Sequence, residues 1–492
     1  MLSRQLLFWA LAWVSLASAD AEPLLQLDAV PVWNGRYQAG TATEIQVRLT
    51  TKQGGTFVVD EGGLSVRLQL EPATPYGTSL PIHPDGSGVI YLEAFGLDDP
   101  TAMITRQMTL HPVGRGQIAL VSDGLDSAEH RAVVQTLGNA DEAIVTPVDA
   151  RSLPRLVAGY EAVDGVALHF AGLKNMEDRQ IQALTQYVMQ CGKLIALAFP
   201  ESIIERFKKI SGCRGDFFIT AHPPFHDLAS INSMMAQHPA ALPETWPVTE
   251  RPGAIIHPNT LLVVFCLCYF VFGAAALALA RRKATLFLFP LAMAALALTV
   301  WAGQKPEKLS TSWLEMHSGH TSARYAAHLT VIGTGSFRES LELPVTALAA
   351  HDLAVNHAAL KTDTGNIVFP IESALLSTNE WHWQAAMQLE APLAVTLKNG
   401  QPTVINHGMM STDQGLLRWQ NRIYILPALE PGQNWIVSPD TAKADNSELT
   451  VLFAKQSRND ATALLVPFTP TMASAGTKAN GWLLIHAATR GV

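Results

Sequence analysis

Asp123 and Asp149 are the acidic residues best placed to do chemistry, because each falls just beyond a short apolar run that reads as a strand. Open parallel sheets bind ligands at that edge, so the two carboxylates could line a pocket for a small polar or cationic ligand. The competing role is capping. Asp126 and Ser127 stand directly ahead of a helical pattern beginning at Ala128, and such side chains accept the first orphan N–H groups of a helix. Turn and cap chemistry is the stronger expectation for all of them. Histidine pairs recur at His222/His226, His317/His320 and His351/His357 among sixteen histidines. A metal site needs three or four converging ligands with an oriented outer shell, and a spaced pair does not supply them. No metal and no cofactor is therefore expected. The chain also lacks G-x-S-x-G, a P-loop, G-x-G-x-x-G after a strand and H-E-x-x-H, which removes the motif-bearing catalytic classes. Gly333-Thr334-Gly335-Ser336 reads as a hairpin turn, and Trp381-His382-Trp383 as sheet-face aromatics.

Of four cysteines, Cys266 and Cys268 fall in an apolar run and read as small fillers. Cys191 and Cys213 lie in the front half. They are a disulfide candidate if that half is exported; two separate buried thiols are the alternative. No C-x-x-C occurs, so a thioredoxin-like role has no support.

The elements that must position these residues begin with targeting signals. Arg4, the short apolar run 6–16 and Ala17-Ser18-Ala19 form the three regions of a signal peptide over 1–21. The run is nearer a dozen residues than the roughly 20 that span a bilayer. Residues 261–280 carry no charge and are long enough to cross once; 286–301 cross again, with Pro290 inside. Arg281, Arg282 and Lys283 lie in the short connection, which the positive-inside rule places in the cytoplasm. Both signals predict one topology: a bacterial inner-membrane protein with a transmembrane helical hairpin over 255–302 and both large segments in the periplasm. Charged residues are only 15% of the chain, and the net charge of −8 comes with no basic stripe. Nucleic acid is excluded as a partner on that ground; the lipid bilayer is an expected one.

Between these signals the pattern changes twice. Residues 22–114 alternate apolar and polar, as at Ile45, Val47, Leu49 and at Leu64, Val66, Leu68, Leu70, with turn residues such as Asn34-Gly35 and Asp85-Gly86 between. An immunoglobulin-like β-sandwich is expected. Residues 115–221 alternate strands with helices, which implies a parallel sheet covered on both faces. Residues 222–254 are Pro-rich and read as a linker. Residues 303–492 return to strands, with helical periodicity only around 347–360, and predict a second exported β-sandwich.

The stretches GRGQIALVSDG, GVALHFAG and IQALTQYVMQCGKLIALAF resemble the class I glutamine amidotransferase-like, flavodoxin-related domain of some bacterial membrane proteins. APLAVTLKNGQPTVINHGMM with RIYILPALEPGQNW resembles the rear sandwich of the same proteins. The resemblance implies association with MoxR-type ATPases and von Willebrand factor A membrane proteins. It does not extend to glutamine chemistry. The turns Gly172-Leu173-Lys174 and Phe199-Pro200-Glu201 carry no nucleophilic Cys, and Pro224 follows His222-Pro223 where the family has an acid. The expected function is a non-enzymatic scaffold or interaction component that presents two periplasmic segments to other membrane or periplasmic proteins. A periplasmic enzyme or carbohydrate- or small-ligand-binding protein using the α/β segment is the alternative.

Overall fold

A computed structural model describes residues 24–62, 64–84, 86–99, 101–114, 116–139, 143–211, 217–222, 228–237, 307–317, 320–332, 337–344, 348–349, 358–361, 366–373, 378–389, 392–398, 401–438, 443–445, 447–457, 462–468 and 478–486. The signal peptide, the hairpin with Arg281, Arg282 and Lys283, and Cys213, His226, His351 and His357 lie outside them. Among the described residues no helix is long and apolar enough to cross a membrane.

The alternation in the front segment does produce two facing sheets. Leu25–Pro31, Thr43–Thr51 and Tyr76–Ile82 form an antiparallel three-stranded sheet with Thr43–Thr51 in the middle. Ile45, Val47 and Leu49 point inward with Leu25, Leu27 and Ala29. They meet Val66, Leu68 and Leu70 of the opposing sheet, where Leu64–Leu70, Gly55–Glu61, Val89–Gly96 and Met103–Thr109 are neighbours in that order. The period-two pattern thus places one apolar row per strand in the shared core.

The next segment is a five-stranded parallel sheet in the order Ile144–Val148, Gln117–Val121, Gly165–His169, Leu194–Leu197, Phe218–Ala221. Its strands read as continuous apolar runs because both faces are covered. Helices Ser127–Gly138 and Leu228–Ala236 cover one face through Val133, Leu137, Ile231 and Met234. Helices Asp178–Met189 and Glu201–Ile210 cover the other through Leu184, Val188, Ile204 and Phe207. Helix Ser127–Gly138 starts where the sequence places it, with a capping box in which Asp126 accepts from Ala128 and Glu129, and Glu129 accepts from the Asp126 N–H. The stretch read as a linker differs: Leu228–Ala236 is a packed helix, and Lys193 Nζ donates to Met235 O at 2.6 Å. Its apolar residues bury a sheet face that would otherwise meet water. Between Ile144–Val148 and Gly165–His169 the connection is built from two 3-10 turns, Ala150–Ser152 and Val157–Ala162.

The rear segment builds an eight-stranded mixed sheet around Glu307–His317. Its neighbours are Ser322–Ile332, antiparallel, and Lys478–His486, parallel. One face carries Trp313, Trp482 and Leu484 beneath Phe453 of helix Glu448–Gln456. The other carries Leu314, Met316, Tyr325 and Leu329. Where helical periodicity was expected around 347–360, the described ends are strands, Leu348–Ala349 and Ala358–Lys361.

The rear segment is joined to the front twice. Ala358–Lys361 pairs parallel with Leu64–Leu70, so it, Asn366–Ser373 and Phe337–Pro344 extend the front sandwich's sheet to seven strands. At the second joint the C-terminus of helix Glu201–Ile210 meets the rear sheet. The Thr321 N–H donates to Lys209 O at 3.2 Å and Ser322 Oγ to Ile210 O at 2.7 Å. Helix C-termini leave carbonyls without intrahelical partners, and rear residues satisfy two of them.

Candidate functional site

Asp123 sits where sequence reasoning places it, beyond Gln117–Val121 at the point where the strand order reverses. There both of its carboxylate oxygens are engaged by the protein itself. Asp123 Oδ2 accepts the Ala150 N–H at 3.1 Å, and Oδ1 accepts Asn175 Nδ2 at 3.3 Å. His169 Nδ1 lies 3.1 Å from the Asp123 carbonyl and 3.3 Å from the Ala171 N–H. Gly124 has φ +89°, and a Cβ there would stand 2.4 Å from Ala171 Cβ. Loop meets loop here, and only glycine allows the approach. Asp149 is exposed and caps the turn Ala150–Ser152 by accepting the Arg151 N–H at 2.7 Å. Asp149 is therefore a cap, while Asp123 ties the loop after its strand to the turn at Ala150 and to Asn175. Asp123→Ala should lower stability by about 1–2 kcal/mol, the scale of two lost hydrogen bonds, one partly buried and one exposed. Urea unfolding measures this; a loss nearer 4 kcal/mol would mean that Asp123 supports more than these loops.

The best-buried carboxylate of the front segments is Glu44, on Thr43–Thr51. It accepts the N–H groups of Arg155 at 3.1 Å and Leu156 at 2.8 Å, across the joint between sandwich and parallel sheet. Trp33 crosses the same joint. It is fully buried, donates Nε1–H to Gly159 O at 2.6 Å and packs edge-on against Tyr160, which stacks on Tyr187. Burial pushes the Glu44 carboxyl up to about 7, against the opposing pull of the Arg155 and Leu156 N–H groups. An acid whose folded pKa is raised holds its proton longer in the folded state, so stability falls as pH rises. About 3 kcal/mol is present in full below pH 4.5 and lost by the time pH has risen past 7. Urea midpoints taken from pH 5 to 8 should fall for the wild type and stay nearly level for Glu44→Gln. A level wild-type profile would exclude this coupling.

Cys191 is disulfide-bonded. Its neighbour Gly192 lies against the Tyr187 ring, where a Cβ would stand 2.4 Å from the ring atoms.

The densest group of metal-ligating side chains is in the rear sheet. Glu315 and His317, two residues apart on Glu307–His317, share one face. In register, His317 faces His486 and Glu315 faces Arg324. His486 Nε2 lies 2.8 Å from Glu315 Oε1, and Arg324 Nη1 lies 3.6 Å from Glu315 Oε2. The His317 and His486 rings stack with centroids 4.6 Å apart and 20° between planes. Ligand atoms of Glu315, His317 and His486 all fall within 4.8 Å of one another. Burial presses the Glu315 carboxyl upward, but the His486 hydrogen bond and the charges of His486 and Arg324 outweigh it and hold the group below the usual range.

Only His317 of this group figures in the sequence-level pairs. Its proposed mate His320 packs edge-on against it, with ring centroids 5.9 Å apart, while its own Nδ1 meets Ser211 O at the joint with helix Glu201–Ile210. The signal available was Glu315-x-His317, two ligand types at the one-face spacing of a strand; His486 is 171 positions from Glu315 and had none. His382 stacks on His328 with centroids 4.0 Å apart, and Trp383 is buried.

No family model matches the chain, and no curated protein matches it. Among solved structures, a carbohydrate acetylesterase from Xanthomonas citri aligns at 10% identity over 71% of this chain and 93% of its own, with a TM-score of 0.19. A 1.5-MDa bacterial ice-binding adhesin aligns at 6% identity over 95% of this chain and 98% of the matched one, with a TM-score of 0.14. TM-scores this low establish no shared fold.

Proposed function

We propose that the chain is a non-enzymatic, membrane-anchored scaffold of the bacterial envelope. Residues 261–301 form its hairpin anchor in the inner membrane, with Arg281, Arg282 and Lys283 on the cytoplasmic side. The front segments are an immunoglobulin-like sandwich and a flavodoxin- or amidotransferase-like sheet, both periplasmic, with Cys191 bonded to Cys213. Its partners are other membrane or periplasmic proteins, of the MoxR- and von Willebrand factor A-associated kind that the sequence resemblance implies.

The observation that carries this reading is the pairing of Leu64–Val66 with Ala358–Leu360. These strands lie on opposite sides of the two apolar runs in sequence. Backbone pairing between them requires both flanks to occupy the same side of a membrane, so the number of intervening crossings must be even. That supports a hairpin over a single span. It also supports a presenting role, since a sheet shared by the front sandwich and the rear segment, with the parallel sheet tied to both by hydrogen bonds, offers a fixed surface.

Affinity purification of the tagged protein from gently solubilised membranes, with co-eluting chains identified by mass spectrometry, tests the proposal. Stoichiometric envelope or membrane partners are expected, and they should persist with Asp123→Ala. A clean monomer or homo-oligomer would overturn the scaffold reading.

A further inference from the structure

We infer that Glu315, His317 and His486 form a zinc site at the C-terminal ends of the paired interior strands Glu307–His317 and Lys478–His486, beside the rear segment's joint with the parallel-sheet segment. Among the described residues this is the one place where three metal-ligating groups converge. The donor set, two imidazoles and one carboxylate, is among those Zn²⁺ accepts with a fourth position left to water.

The geometry comes from strand register rather than from a flexible loop. Parallel pairing sets His317 directly beside His486, and the two-residue period sets Glu315 on the same face. With zinc–ligand bonds of about 2.0–2.2 Å, the edge of a tetrahedral site is about 3.3 Å. The Glu315–His486 contact at 2.8 Å is slightly shorter than that edge. The limit of 4.8 Å on the remaining separations is longer. An arriving ion has to open the first by about half an ångström and draw His317 inward, movements within the reach of side-chain rotation. Glu315 and His486 are 6% and 5% exposed, so they are held by packing, whereas His317 is half-buried and gives access.

The surrounding charge fits a ligand carboxylate. Arg324 engages Glu315 Oε2 and leaves Oε1 turned to the histidines. Ligating carboxylates are commonly fixed by such a partner on the outer oxygen. His328 and His382 provide the contrast. Their rings stack at 4.0 Å on the same sheet, but they do not belong to a group of three ligands among the described residues.

The test uses the full chain in detergent micelles with a tag that contains no histidine. The protein is stripped with EDTA, dialysed against Zn²⁺ and assayed for metal content, and affinity is measured by competition with a chromophoric chelator. One zinc per chain is expected in the wild type and in His382→Ala. His317→Ala and His486→Ala should each weaken that site by more than about a hundredfold, beyond the range expected when only an outer partner is lost. Co²⁺ in place of Zn²⁺ should give the visible absorption of a tetrahedral site, abolished in His317→Ala. No stoichiometric zinc in the wild type, or an equivalent that survives with unchanged affinity in His317→Ala, would overturn the inference. His317 is the most accessible of the three, so its variant keeps the test decisive should His486→Ala fail to fold.

Discussion

Trp33→Ala should destabilise the folded chain by about 3–5 kcal/mol, the range for deleting a fully buried aromatic side chain. The indole is fully buried between sandwich and parallel sheet, and its loss removes three things together. The Nε1–H bond to Gly159 O goes, at 2.6 Å; the edge contact with Tyr160 goes, with ring centroids 5.6 Å apart; and a cavity opens beneath the Tyr160–Tyr187 stack. Trp33 and Asn34 also hold left-handed backbone, with φ of 54° and 53°. A bulky residue stays in that region only when its surroundings over-determine it. The side chain is therefore what fixes the bend that carries the sandwich onto its neighbour. Trp33→Phe separates the contributions: it retains a ring but loses the donor, and should cost about 1–3 kcal/mol for a buried carbonyl left without its partner. Urea unfolding of both variants, with limited proteolysis in the 153–163 stretch, measures the effect. A cost below about 1 kcal/mol for Trp33→Ala would show that the joint is held elsewhere.

Glu315→Ala, measured in EDTA, should cost a similar 3–5 kcal/mol for a different reason. The carboxylate faces Arg324 at 3.6 Å and His486 at 2.8 Å, with side-chain exposures of 8% for Glu315, 10% for Arg324 and 6% for His486. Removing it leaves a guanidinium in a low-dielectric setting without its counter-charge. The pair as a whole contributes far less than either half suggests, because both charges are desolvated on folding. The double variant Glu315→Leu with Arg324→Met should accordingly recover most of the lost stability. Recovery in the double variant together with a large single-site loss identifies desolvation as the cause. Equal losses in both would instead identify packing.

Much of the fold was legible because it is written in local periods. The rows Ile45-Val47-Leu49 and Val66-Leu68-Leu70 end in the core as alternation requires. The run over 117–121 is buried throughout, as a strand covered on both faces should be. Asp126 and Asp149 cap, as their positions ahead of helical turns indicated. What escaped was non-local. Nothing near Ala358 announces pairing with Leu64, and nothing near His486 announces that it will stand beside His317. The close spacing of His317 and His320 does bring their rings together, 5.9 Å apart, but the group of three is completed by Glu315 and by His486 from a distant strand. The packed helix Leu228–Ala236 was masked by the prolines around it.

The parallel contact between Glu307–His317 and Lys478–His486 also sets a clock on biogenesis. A chain emerges at about 5–20 residues per second, so the 171 positions between Glu315 and His486 take roughly 10–30 s to appear. Throughout that interval the central strand Glu307–His317 has one of its two edges without the strand it will finally pair with. An open edge of this kind recruits foreign strands. The rear sheet is therefore an obligate late folder, and the interval before its last strand arrives is when a holdase chaperone has most to protect.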